Sequence, residues 1–124
     1  MKKKPIDTST PLTYIENTKV FVEIPVFTED ATKDLPEKEL RGIQILLTVN
    51  PEAGDLIPGS RGLYKLRWGA KGHGKRGGAR IIYYWAVKHD QILLLYLFPK
   101  NRVEDLTPRQ YKKLREYVAR EYDE

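Results

Sequence analysis

The chain has no cysteine, which excludes disulfides and thiolate metal sites. It has two histidines, His73 and His89. Neither has a second ligand residue three to five positions on, so no metal site is expected. No GxxxxGK[ST] phosphate loop occurs. The serines that a Ser-His-Asp triad would need, Ser9 and Ser60, fall in a tail and a turn. No apolar run approaches the roughly 20 residues of a membrane span. The opening "MKKKPIDTSTPLTY" lacks the apolar core of a signal peptide. A cytoplasmic, membrane-free protein is the expectation. With 124 residues, 40% of them hydrophobic, one globular domain is expected.

What the chain has in excess is positive charge, unevenly placed. The formal net charge is +5. Residues 23–58 hold eight acids against three bases, a net charge of −5, whereas residues 61–80 hold seven bases and no acid. A block of that kind points to a polyanionic partner.

Residues 1–18 read as a flexible N-terminal extension and 19–124 as the folded domain. "KVFVEIPVF" (19–27) alternates as a strand. Thr28 is placed to cap a short helix through "TEDATKDL". "LPEKELRGIQILLTVNP" (35–51) reads as a helix. Pro36 suits its first position, Leu40, Ile43 and Leu47 form its stripe, and Asn50-Pro51 stops it. "GLYKLRWGA" (62–70) and "ARIIYYWAV" (79–87) alternate as strands. "ILLLYLF" (92–98) is an unbroken apolar run, as in a central strand covered on both faces. Thr107, Pro108 and Gln110 form a capping box opening a last helix near 107–122. The order implies an α+β fold. An antiparallel sheet of about four strands carries two N-terminal helices on one face, followed by a C-terminal helix.

The basic residues are the remaining chemistry. Lys65 and Arg67 alternate onto one strand face, about 7 Å apart. A hairpin returns Arg80 toward them. The connecting loop, 71–78, contains Lys71, His73, Lys75 and Arg76 among glycines. Hairpin loops usually run about 2–5 residues, and a bare Gly/Lys/Arg loop has no apolar contacts to offset its ordering entropy. Two readings fit: a solvated, disordered hairpin, or a phosphate grip, in which glycines let backbone N–H groups approach an anion closely and Lys and Arg supply charge. "GHGKRG" matches a dinucleotide fingerprint by spelling only, because it joins two antiparallel strands. Trp68, Tyr83 and Trp85 lie on the opposite face and read as core.

The strings "NPEAGDLIPGSRGLYKLR" (50–67), "GKRGGARIIYYW" (74–85) and "KNRVEDLTPRQ" (100–110) resemble the RelE/ParE superfamily of type II toxin–antitoxin systems. The resemblance is closest to HigB-like, RelE-family toxins and covers about residues 19–120. It implies a RelE-like fold and a ribosome-dependent, metal-independent mRNA endoribonuclease (an mRNA interferase) that inhibits translation. The ribose 2′-OH would attack the adjacent phosphate, with no cofactor. By position, Lys65, Arg67, Arg80 and Lys100 would be catalytic. Arg67 and Arg80 would stabilise the phosphate, Lys65 would serve charge or proton transfer, and Lys100 would contact phosphate or act as acid. Lys71, His73, Lys75 and Arg76 would hold RNA. The implied partners are mRNA on the ribosome, with 16S rRNA contacts, and a HigA-like helix-turn-helix antitoxin. One departure is Phe98, where many relatives carry Tyr two residues before the Lys; Tyr96 faces the same side. Two other functions fit the same scaffold: a ParE-like DNA gyrase inhibitor and a non-catalytic RNA- or ribosome-binding module.

Overall fold

The computed structural model describes residues 12–16, 19–24, 27, 35–69, 78–99 and 105–122. Its elements are β1 (Leu12–Glu16), β2 (Lys19–Glu23), α1 (Glu37–Val49), β3 (Asp55–Leu56), β4 (Leu63–Trp68), β5 (Ala79–Ala86), β6 (Gln91–Pro99) and α2 (Pro108–Tyr122). They form an α+β fold on one six-stranded sheet of order β1-β2-β6-β5-β4-β3.

The sheet departs from expectation in two ways. It has six strands rather than about four, because two short edge strands flank the predicted set. Leu12–Glu16, expected as part of a flexible extension, pairs antiparallel with β2; residues 1–11 lie outside the described residues. Asp55–Leu56 pairs antiparallel with β4. The sheet is also mixed, not antiparallel: β2 runs parallel to β6, Val20 opposite Gln91 and Glu23 opposite Leu94. Joining the first strand to the last one's free edge requires a long crossover, and chain direction then sets the pairing.

The β4–β5–β6 meander follows the sequence pattern. β4 and β5 pair from Leu63↔Tyr84 to Trp68↔Ala79. Between β5 and β6 the register jumps from Ile82↔Tyr96 to Tyr83↔Leu94. Leu95 is therefore an extra residue, a β-bulge that bends the strand. Ile92, Leu93, Leu94 and Leu95 are all fully buried. Complete burial of such a side chain stabilises by roughly 1.5–3 kcal/mol, so β6 is the centre of the core.

The two described α-helices lie on opposite faces of the sheet: the N-terminal α1 on one and the C-terminal α2 on the other. α1 covers the Trp68/Tyr83 face. The Trp68 indole N–H donates to Glu39 Oε1 over 2.9 Å, and the Tyr83 hydroxyl donates to the Pro51 carbonyl over 2.7 Å. α2 covers the Tyr84 face, its Arg115 guanidinium 5.4 Å from the Tyr84 ring centre. Tyr83 and Tyr84 are successive strand residues and so point to opposite sides. Leu40, Ile43 and Leu47 are buried as the stripe predicts. Pro36, however, is the N-cap, with extended backbone (ψ 147°), and not the first helical residue. Of the helix expected over 28–35, residues 28–34 lie outside the described residues and Leu35 is buried at a bend.

The capping box of α2 is formed in both directions. The Gln110 N–H donates to Thr107 Oγ1 over 3.2 Å, and the Thr107 N–H donates to Gln110 Oε1 over 2.8 Å. This fixes where α2 starts, and so where Asp105, two residues before the cap, is held.

Candidate functional site

The site forms on the α2 face at the connected end of the β4–β5 hairpin, next to the Trp68–Ala79 pair. Arg67 and Arg80 are direct cross-strand partners. Such pairs bring Cβ atoms to about 4.5–5.5 Å, where like charges destabilise a sheet. Arg67 is exposed and Arg80 half-buried. Burial first, and then the Arg67 charge, lower the Arg80 guanidinium pKa below its usual value, while Asp105 works against them.

Lys65 stands two residues along β4 on the same side, opposite Ile82. Its Nζ lies 3.1 Å from Asp105 Oδ1. Asp105 also accepts from the Leu106 N–H over 2.8 Å and from the Tyr111 hydroxyl. Burial pushes the Asp105 carboxyl up, but the Tyr111, Leu106 and Lys65 donors together outweigh it and hold it below the ordinary carboxylate range. Tyr111 is raised, by burial and then by its bond to Asp105.

Tyr111 reaches Asp105 because of the helix start. Leu106 and Tyr111 occupy the two hydrophobic-staple positions around the Thr107 cap. Leu106 is buried and Tyr111 half-buried. Beside them opens a cleft of about 640 Å³, bounded by the turn Ile57–Arg61 and the first turns of α2, and sharing Asp105 and Tyr111 with the site. That turn is fixed. Gly59 and Arg61 have left-handed backbones (φ 73° and 58°), Ser60 Oγ donates to the Ile57 carbonyl over 2.6 Å, and Arg115 Nε donates to the Arg61 carbonyl over 2.9 Å.

Of the residues singled out from sequence, Lys65, Arg67 and Arg80 come together. Lys71, His73, Lys75, Arg76 and Lys100 lie outside the described residues. The chain ends flanking residues 70–77, Gly69 and Gly78, follow Trp68 and precede Ala79, which are paired in register. Phe98 is opposite Arg80 and buried, its ring centre 6.2 Å from that of Tyr96. Tyr96 lines a small pocket of about 180 Å³ under α2 with Leu106, Gln110, Lys113 and Leu114. Trp68, Tyr83 and Trp85 lie on the far face, as the alternation predicts.

Sequence reasoning missed Asp105 and the polar role of Tyr111, which reads as a stripe residue. The available signal was an acid two residues before a capping box, on the segment that returns from the central strand. Among the described residues no three His, Asp or Glu side chains converge as a metal-ligand group. Among the same residues, no helix is long and apolar enough to cross a membrane.

No protein-family model matches the chain.

Proposed function

We propose that the protein is the toxin of a type II toxin–antitoxin pair: a ribosome-dependent, metal-independent endoribonuclease of the RelE/HigB kind that cuts mRNA during translation. What supports this is the placement of Arg67 directly across from Arg80, with Lys65 beside them. Two guanidinium groups held side by side cost stability in a sheet and gain it back when an anion lies between them. A phosphodiester fits because its attacked phosphorus gains negative charge as the 2′ oxygen adds, and fixed cations stabilise that charge more than they stabilise the substrate.

In this reading the ribose 2′ oxygen attacks the adjacent phosphorus. Arg67 and Arg80 hold the non-bridging oxygens, Lys65 adds a third positive charge, and the P–O5′ bond breaks with Lys100 near the leaving oxygen. Lys71, His73, Lys75 and Arg76 hold flanking RNA or 16S rRNA. A HigA-like helix-turn-helix antitoxin is the proposed neutralising partner, and no cofactor is required.

The test is to induce the protein in cells and map mRNA 5′ ends, with a gyrase supercoiling assay beside it. Cuts inside translated codons that vanish with Arg80→Ala are the expected result. Blocked supercoiling with intact mRNA would replace this reading by gyrase inhibition. Ribosome binding with neither effect would replace it by a non-catalytic module.

A further inference from the structure

Three hydrogen-bond donors converge on one oxygen of Asp105. Lys65 Nζ, the Leu106 N–H and the Tyr111 hydroxyl all meet Oδ1. Among the described residues none is recorded at Oδ2, and 51% of the side chain is exposed. A carboxylate that only balanced Lys65 would need no such orientation, since either oxygen in any rotamer would serve. Here the backbone at 106 and the half-buried phenol of Tyr111 fix the plane of the group, and no bond among the described residues occupies the lone pairs of Oδ2. Its ion-pair partner Lys65 lies two residues from Arg67 on the same face of β4, so the carboxylate stands on the side of the sheet that carries the cation pair to which a phosphate would bind.

We infer that Asp105 Oδ2 accepts the ribose 2′-hydroxyl proton in the cleavage proposed above, with Tyr111 as its positioning residue; the inference rests on that ribonuclease reading. The 2′ O–H bond breaks as the 2′ O–P bond forms. The proton goes to Oδ2, the P–O5′ bond breaks, and the 5′ oxygen leaves as an alcohol with a proton from water. The products are a 2′,3′-cyclic phosphate and a 5′-hydroxyl end, and Asp105 returns its proton to solvent. The hydroxyl becomes more acidic as its oxygen bonds to phosphorus, so an ionised carboxylate can take its proton, with less driving force than a base that titrates near the working pH. Lys65, held against Oδ1 by the ion pair, then supplies charge and not the base.

The experiment uses the full chain, purified ribosomes and one defined message. It compares the wild type with Asp105→Asn and Tyr111→Phe. Asp105→Asn keeps an oxygen for the Leu106 and Tyr111 donors but cannot take a proton. Its cleavage rate should fall about 10²–10⁴-fold. Its co-sedimentation with ribosomes, programmed with the message methylated at the cut-site 2′ oxygen, should stay within about threefold of wild type, a range too small to account for such a rate loss. Tyr111→Phe should lower kcat by roughly ten- to a hundredfold with KM little changed, as loss of positioning predicts. A melting midpoint within a few degrees of wild type excludes misfolding as the cause. If Asp105→Asn cuts as fast as wild type, the inference is wrong while the ribonuclease reading stands. If it binds tighter and cuts faster, Asp105 is a phosphate stand-in that substrate displaces, and the inference is again overturned. A wild type that leaves the message intact overturns both.

Discussion

Arg67 and Arg80 face each other across the β4–β5 hairpin, two like charges in one register position. The pair is a liability to the sheet and an asset to an anion. Arg67→Gln should raise stability by roughly 0.2–1 kcal/mol through relief of that repulsion, while weakening RNA binding. Arg80→Ala should cut mRNA at least about a hundredfold more slowly with an unchanged circular dichroism spectrum. Denaturant titration of Arg67→Gln checks the first effect; a lowered midpoint would show that the two arginines are not in conflict.

Phosphate binding through these cations should be salt-sensitive. Affinity for single-stranded RNA should fall with a log–log slope of about −0.7 per phosphate contacted. Arg67→Gln should flatten that slope by about one contact. A slope near zero in the wild type would remove the phosphate contacts from the account.

Acid should weaken the hold on α2. The Asp105 carboxyl titrates below its reference value of 3.8 in the folded protein. A depressed carboxyl contributes stability that is present above the unfolded value and is lost as pH falls through the folded one. Asp105→Asn should therefore be less stable than wild type at neutral pH, by under about 1 kcal/mol given its solvent exposure. The gap should begin to narrow below about pH 4 and close as pH falls through the lower folded value. Thermal melts of both proteins from about pH 2 to 7, a range that reaches below the unfolded value, measure this.

On the opposite face, Tyr83 ties the end of α1 to the sheet. Its hydroxyl donates to the Pro51 carbonyl and accepts from the Gly54 N–H over 3.0 Å, and its ring stacks on Tyr64 at 5.3 Å. Tyr83→Phe leaves both backbone groups without this partner and should cost about 1–3 kcal/mol. Burial pushes the Tyr83 phenol up to about 12. A raised group contributes stability below its unfolded value, lost as pH rises through the folded one. Ultraviolet titration of phenolate should show a late-ionising tyrosine that Tyr83→Phe removes, and its absence would mean that the phenol is solvated.

The capping box gives the simplest stability test. Thr107→Ala removes the side-chain acceptor for the Gln110 N–H and should cost about 1 kcal/mol. It should also loosen Asp105, so cleavage should fall more than stability alone explains. Cleavage that tracks only the folded fraction would separate the cap from the site.

Local rules made several elements legible in the sequence. The capping box at Thr107 and Gln110, the Leu40–Ile43–Leu47 stripe, and the alternation that separates Lys65 and Arg67 from Trp68 all depend on neighbours a few residues apart. The unbroken run at 92–98 also carried the message that both sheet faces are covered. The edge strands at 12–16 and 55–56 were not legible. Strands of two to five residues, one lying in a polar Thr- and Pro-rich stretch, carry little pattern and exist because a neighbouring edge offers backbone hydrogen bonds. The parallel β2–β6 pairing was hidden for a related reason, since crossover direction is a property of the path and not of any residue.

The sequence by itself determined the positive half of the site. Residue type and strand period place Lys65, Arg67 and Arg80 on one face wherever the hairpin lies. Only the tertiary structure decided that Asp105 and Tyr111 join them. The docking of α2 on that face, fixed by its cap and by Arg115 over Tyr84, brings a carboxylate to a lysine forty residues earlier in the chain. Contacts between residues so far apart depend on burying a helix face against a sheet, which no local spacing records.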